Sequence, residues 1–307
     1  MNGSTVDALV IGGGPAGLGA ALALGRARRS VVVCDSGDYR NRSAHAMHGF
    51  PSRDGMPPAA FRDEIWREMA EYEAVERRDA RVSDLRGSID RFEALLADGT
   101  RVPARRVLLA PGVRDRLPPV RGLEELWGTR AVTCPYCDGW ELRDAALGVL
   151  VSPEAGLPYV RTVRAWSTDL VVFACDGLRL DETQRRWLET RRIGVRTDPV
   201  QRVEERDGSV IVSFVGGSSV ERRAIFVSPD PAPRGELAAQ LGCALTADGF
   251  VVVDASGCTS VPGVFAAGDV RRADEPHHAM GAAADGSSAG MAMNADLLAH
   301  DDPAPGD

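Results

Sequence analysis

The feature that most constrains this chain is a strand, turn, helix and second strand packed into its first 35 residues. Asp7-Ala-Leu-Val-Ile11 reads as a buried strand and Leu18 to Arg29 as a helix rich in Ala and Leu, with Val31-Val-Val33 as the next strand. Between them, Gly12-x-Gly14-Pro15-Ala16-Gly17 turns the chain sharply. Glycines at that turn let the backbone approach a pyrophosphate, and the helix N-terminus stabilises its charge. Asp35 follows two residues after Val33, where an acid accepts hydrogen bonds from ribose hydroxyls. A glycine pattern alone is weak. With strand, helix, second strand and terminal acid in order, it specifies an α/β dinucleotide-binding unit.

The 307 residues suggest two domains. A helical stretch from Pro58 to Ala74 leads into short strands at Val75 to Leu85, Phe92 to Leu96 and Arg101 to Ala110, with Asp98-Gly99 as a hairpin turn. Leu108-Leu-Ala-Pro-Gly112 is a further apolar strand ending in a small-residue turn, and Gly263-Val-Phe-Ala-Ala-Gly268-Asp269 repeats that pattern before an Ala/Gly/Met-rich helix from Ala279 to Leu298. Both ends therefore build one domain, residues 1–116 and 246–307. Residues 117–245 form an inserted domain, and the tail from Asp301 is expected to fray.

All 36 basic residues are arginine, which excludes lysine chemistry, including Schiff bases and P-loops. A net charge of -8 without a polybasic block gives no electrostatic footprint for nucleic acid or an anionic membrane. The longest uncharged stretch, Ala8 to Gly25, is broken by glycines, and no basic segment precedes it as a signal peptide requires; a cytoplasmic protein is expected. Of six cysteines, Cys34, Cys175, Cys243 and Cys258 read as isolated reduced thiols. Cys134 and Cys137 form a Cys-x-x-Cys pair. At a helix start such a pair can form a disulfide, and the helix dipole lowers the thiolate pKa. Thr133 is the expected N-cap, and Pro135 suits the first turn. Zinc needs two further ligands; neither a second pair nor clustered histidines exist, so no metal is expected.

The glycine turn, Cys134-Pro-Tyr-Cys137-Asp138-Gly139 in the middle and Gly268-Asp269 near the end resemble, in order and over nearly the whole chain, the low-molecular-weight thioredoxin reductases. The resemblance implies a two-domain thioredoxin reductase-like fold: a discontinuous FAD-binding domain of Rossmann type with an inserted NADPH-type domain carrying the cysteines, in a homodimer. It implies that Gly12, Gly14, Pro15, Ala16, Gly17 and Asp35 hold the ADP half of FAD, that Val82 and Gly112 contribute to the same site, and that Asp269, after Gly268, serves the ribityl and flavin side. The Ala279 backbone would face the isoalloxazine. His278 stands where that family commonly has Gln.

The inserted domain departs from the family. Its first strand survives in Leu147-Gly-Val-Leu-Val151, but Val151 and Pro153 occupy the two glycine positions of the nicotinamide-dinucleotide turn, and Glu154 adds a negative charge. Side chains there fill the space a pyrophosphate needs, and proline removes an amide donor. After Leu170-Val-Val-Phe173, where relatives place a His-Arg-Arg cluster for the 2'-phosphate, the chain reads Ala174-Cys175-Asp176. The inserted domain is thus read as degenerate. It is similar in this respect to the dithiol oxidases of holomycin and gliotoxin biosynthesis, which close a vicinal dithiol of a small metabolite and pass the electrons through FAD to oxygen.

By that likeness Cys134 is the interchange thiol, Cys137 the thiol near the flavin and Asp138 the proton carrier, with His278 first among His45, His48 and His277 as the other base. Most tryptophans are expected in the core; Trp140, three residues after Cys137, is the one that could line a substrate pocket. The implied partners are a small dithiol metabolite and oxygen. Two alternatives stand beside this reading: a protein-disulfide reductase fed by NADPH or ferredoxin, and a flavin-binding redox sensor.

Overall fold

The computed structural model describes residues 4–151, 156–174, 180–272 and 277–303. The chain forms two compact units, one of residues 1–40, 59–114 and 232–307, the other of residues 41–58 and 115–231.

The first unit is built on a seven-stranded sheet. Val75–Arg78, Val31–Cys34, Val6–Ile11 and Arg101–Leu109 lie side by side in parallel, and Val264–Ala266 joins the C-terminal half of Arg101–Leu109, also in parallel. Phe92–Leu96 and Val82–Arg86 continue the sheet antiparallel from the N-terminal half of that strand. The apolar runs that identify the central strands are buried on both faces, as a covered parallel sheet requires. The glycine-turn helix runs Pro15–Arg26, starting three residues before the expected Leu18 because Pro15 fits the first helical position. The second helix is shorter than expected, Pro58–Met69.

The C-terminal helix, Ala279–Asp301, crosses the glycine-turn helix at very short range. A Cβ on Gly19 would lie 2.5 Å from the Ala283 carbonyl oxygen, one on Gly290 2.9 Å from that of Ala20, and one on Gly286 would overlap the Ala16 carbonyl. Charged residues fasten the same helix to the sheet. Fully buried Arg106 binds Asp90 at 2.7 Å and Asp296, and Arg105 binds Asp7 at 3.0 Å and Asp301.

The second unit repeats the parallel design. Its five-stranded sheet has the order Gly194–Arg196, Leu170–Ala174, Leu147–Val151, Ala224–Val227, Ala131–Val132, all parallel. Helices Gly156–Val163 and Glu182–Thr190 are the crossovers, and an antiparallel three-stranded sheet spans Val200–Arg206, Ser209–Phe214 and Ser219–Arg222.

The expected boundary at 245/246 falls at 231/232 instead. The helix Glu236–Gln240 and the residues after it place Ala238 and Cys243 in one core with Val82 and Leu85, and Gln240 accepts the Leu85 N–H at 3.1 Å. Residues 41–58, expected in the first domain, belong to the second unit, where a Cβ on Gly128 would lie 2.7 Å from Ser43 and where His48 lies 3.7 Å from Glu141.

Candidate functional site

In the first unit the expected dinucleotide residues converge on the end of the Val6–Ile11 strand. Gly12 has φ of +115°, and a Cβ there would run into the Ala110 carbonyl; one on Gly17 would run into the Gly12 carbonyl. Those two glycines are required by the protein's own backbone. Gly14 differs: it is the N-cap of the glycine-turn helix, supplies no side-chain cap, and a Cβ on it would meet nothing within 4 Å. The first-turn amides thus border open space next to the one glycine the fold itself does not need, a cradle suited to a pyrophosphate. The buried Asp35 carboxylate lies against Gly13, accepting the Gly37 N–H at 2.9 Å and the Tyr39 hydroxyl. Arg62 covers the Tyr39 ring at 3.5 Å.

Gly268 comes to the same place from the far end of the sequence, since its Cβ would lie 2.7 Å from that of Ala16. Asp269 follows in a short 3-10 helix, 3.7 Å from Arg40. Gly112, with φ of +72°, borders open space. Val82 is buried in the core at the start of its strand, opposite Leu96. Ala279 opens the C-terminal helix, and His278 caps it: Nδ1 accepts the Gly281 N–H at 3.0 Å. That hydrogen bond requires an unprotonated Nδ1, so the structure gives His278 a capping function.

The second unit holds Cys134, Cys137 and Asp138. The cysteines form a disulfide with their Cα atoms 5.2 Å apart. The helix that starts there has a single turn, Pro135–Asp138, so a dipole contribution to thiol acidity is small. Cys134 is the N-cap in place of the expected Thr133, and Pro135 takes the first helical position. The Thr133 carbonyl instead faces the Tyr159 hydroxyl at 2.5 Å, with the Val227 carbonyl 3.1 Å from the same oxygen. Tyr159 thereby anchors the residue before Cys134 to the end of a central strand. Both cysteines are half-buried, so burial does not rank them.

Burial pushes the Asp138 carboxyl up to about 6; the charge of Glu141 adds to the rise and His48 opposes it. His48 bridges Asp54 at 3.3 Å and Glu141 at 3.7 Å. Of the candidate histidines it is the one whose charge acts on Asp138, whereas His45 is exposed and His277 bonds the Arg272 carbonyl at 2.7 Å. Trp140 is 64% exposed, with Arg143 over its ring at 4.2 Å. Val151, at one expected glycine position, is fully buried; Pro153, Glu154, Cys175 and Asp176 lie outside the described residues. Cys34 and Cys243 are buried free thiols and Cys258 is half-buried and free; burial pushes the Cys34 thiol up to about 12, which keeps it inert. Among the described residues no cluster of His, Cys, Asp and Glu could hold a metal, and no helix is long and apolar enough to cross a membrane.

Sequence reasoning did not find Arg40, Tyr39, Tyr159 or Glu141, and it named His48 only as one of several candidate bases. Arg40 and Tyr39 lie within five residues of Asp35, which is the signal that could have pointed to them. Glu141 follows Asp138 by three residues, whereas Tyr159 and His48 meet the site only through tertiary packing.

The chain matches the pyridine nucleotide-disulphide oxidoreductase family over residues 6–152 and 168–286. It is 31% identical to thioredoxin reductase sirT of Leptosphaeria maculans over 97% of this chain and 96% of that protein, and 34% identical to thioredoxin reductase tcpT of Claviceps purpurea over 86% of each. Among solved structures, HlmI superposes with a TM-score of 0.89 at 39% identity over 98% of this chain and 95% of that one. An oxidoreductase from Agrobacterium tumefaciens superposes with a TM-score of 0.90 at 33% identity over 96% and 99%. A glycine cradle on one parallel-sheet unit and a Cys-x-x-Cys disulfide on a second agree with these likenesses, and the chain belongs to the pyridine nucleotide-disulphide oxidoreductase family, among its thioredoxin reductase-like flavin disulfide oxidoreductases.

Proposed function

We propose that the protein is an FAD-dependent dithiol oxidase that closes a vicinal dithiol of a small metabolite into a disulfide, with oxygen as acceptor and hydrogen peroxide as product. The observation that carries this reading is the Cys134–Cys137 disulfide beside an Asp138 carboxyl raised to about 6, in a unit whose central strand Leu147–Val151 ends in a buried Val151 where a nicotinamide-dinucleotide turn calls for glycine. Electrons then enter through the disulfide. The similarity to HlmI supports the same reading.

Ionised Asp138 takes a proton from an incoming thiol, whose sulfur attacks Cys134 and displaces Cys137 as thiolate. The second substrate thiol then attacks the mixed disulfide, releasing the cyclic product and leaving both cysteines reduced. Bound FAD would supply the redox chemistry that carries the electron pair of the reduced Cys134–Cys137 dithiol to oxygen. Gly14 and the first-turn amides would hold its pyrophosphate, Asp35 its ribose, and Asp269 would serve its ribityl side. The sum is one dithiol and one oxygen giving one disulfide and one hydrogen peroxide. We propose a homodimer acting in the cytoplasm, without nucleic-acid or membrane partners.

The test is an anaerobic titration of the flavin absorbance, first with NADPH and then with a dithiol such as dihydrolipoamide. Bleaching by the dithiol alone, followed on admitting air by one hydrogen peroxide per disulfide, is the expected result. Bleaching by NADPH would favour the protein-disulfide reductase, and no bleaching by either a redox sensor.

A further inference from the structure

Next to the disulfide, on the same unit, lies a groove of about 760 Å³, within the range of about 300–1,000 Å³ typical of small-ligand sites. Its floor is the outer face of the helix Gly156–Val163 and the residues just after it, where Thr162 and Ala165 keep the surface low. Its walls are aromatic: Tyr136 and Trp166 from the cysteine side, Trp187 from the helix Glu182–Thr190. Tyr136 stands between the two cysteines in sequence, is 77% exposed, and meets the Trp166 ring edge-on at 5.2 Å. Trp166 in turn packs on the cysteine helix, 2.7 Å from where a Cβ on Gly139 would sit. The groove and the disulfide therefore share a wall.

Among the described residues one charge lines this groove, the guanidinium of Arg161, and no carboxylate does. Arg161 makes no ion pair with any described residue, although the chain carries 44 acidic residues against 36 basic ones. Two other arginines of this unit stack on rings instead: Arg143 lies over Trp140 at 4.2 Å and Arg191 over Trp187 at 4.6 Å. Aromatic walls select a planar ring, and a cation with no acid beside it among the described residues selects an anion.

We infer that the groove binds an aromatic ring bearing a carboxylate, and that this ring acid is the part of the substrate remote from its thiols. The second half of that inference rests on the dithiol-oxidase reading. The Arg161 fork pairs with the carboxylate, the ring lies among Tyr136, Trp166 and Trp187, and the thiols are left beside the Cys134–Cys137 disulfide.

Two measurements on the FAD-loaded full chain test it. In calorimetry, thiol-free biphenyl-4-carboxylate should bind at least tenfold more tightly than its neutral amide. Arg161→Gln should bring the acid down to the amide, Arg161→Lys should recover part of the difference, and Trp187→Leu should weaken both ligands. In anaerobic flavin reduction, dihydrolipoamide is compared with dihydrolipoate coupled through an amide to 4-aminobenzoate. The aryl acid should half-saturate at a concentration at least tenfold lower, and in Arg161→Gln the ratio between the two dithiols should collapse to about one. Equal binding of the acid to Arg161→Gln and the unmodified protein, or no binding at millimolar concentration, overturns the site even if dihydrolipoamide reduces the flavin. Arg161-dependent binding with no reduction by either dithiol upholds the site and removes the oxidase reading together with its substrate assignment.

Discussion

Changing Asp138 to Asn keeps the shape of the side chain and removes its charge, and its effects on stability and on turnover should have opposite signs. The folded protein holds this carboxyl near 6 against an ordinary 3.8, a difference that disfavours the folded, ionised state by at most about 3 kcal/mol at 1.36 kcal/mol per pKa unit. The sign follows from proton linkage: a carboxyl whose folded pKa is raised destabilises the fold progressively as pH rises from 3.8 through 6, and the full effect is present above both values. Asn escapes this cost. Relative to wild type, Asp138→Asn should therefore gain up to about 3 kcal/mol between pH 4 and pH 8. Trp127, Trp140, Trp166 and Trp187 all lie in the unit that contains Asp138, so urea unfolding followed by tryptophan fluorescence reports mainly on that unit. With a slope of about 2–3 kcal/mol per molar urea, the difference between the two midpoints should widen by about 1 M across that pH range. Dithiol turnover at neutral pH should meanwhile fall by about 10²–10⁴, the usual contribution of a positioned acid–base group, with FAD still bound. A stability difference that does not change with pH would refute the burial argument, and near-normal turnover would move the proton role elsewhere.

Gly14→Val should lose FAD while the apoprotein stays folded, because the new side chain enters space that the protein leaves open; Gly17→Ala should unfold more readily, because its methyl meets the Gly12 carbonyl, and full flavin occupancy in Gly14→Val would remove the cradle assignment. Cys134→Ser should show a long-wavelength absorption band from a Cys137 thiolate beside the flavin, and Cys137→Ser should not; the reverse pattern would exchange the two roles. His278→Ala removes the N-cap of the C-terminal helix and should cost about 1 kcal/mol in denaturant unfolding, and an unchanged stability would argue against the cap.

The parts of the molecule that could be read from sequence are those specified by neighbours in the chain. The Val6–Ile11 strand, its glycine turn and Asp35 are contiguous, and steric demands at Gly12 and Gly17 make the pattern hard to mistake. The Asp98-Gly99 hairpin was legible for the same reason, since a left-handed turn residue sits between two alternating strands. Residues that act through distant partners left no such trace. Nothing local marks Tyr159 as the support of Thr133, or His48 as a charge acting on Asp138 from 90 residues away. The boundary near residue 232 was missed because Ala238 and Cys243 look like ordinary apolar residues until their packing against Val82 and Leu85 is seen. His278 was read by its neighbourhood in sequence, and its ring nitrogen turned out to be occupied by a backbone amide.

The tight crossing of the glycine-turn helix and the C-terminal helix bears on how the chain acquires its shape during synthesis. The helix that starts at Pro15 is seated against residues near 283, 286 and 290, and Val264–Ala266 pairs with the strand Arg101–Leu109 of the same sheet. A nascent chain therefore carries its dinucleotide motif through most of translation without the surface that fixes it, while residues 41–58 and 115–231 can come together as a unit beforehand. Contacts spanning so much sequence close slowly. FAD supplied late in synthesis would bind the first species in which both ends have met, and cofactor scarcity should show itself as protease-sensitive termini around an intact middle.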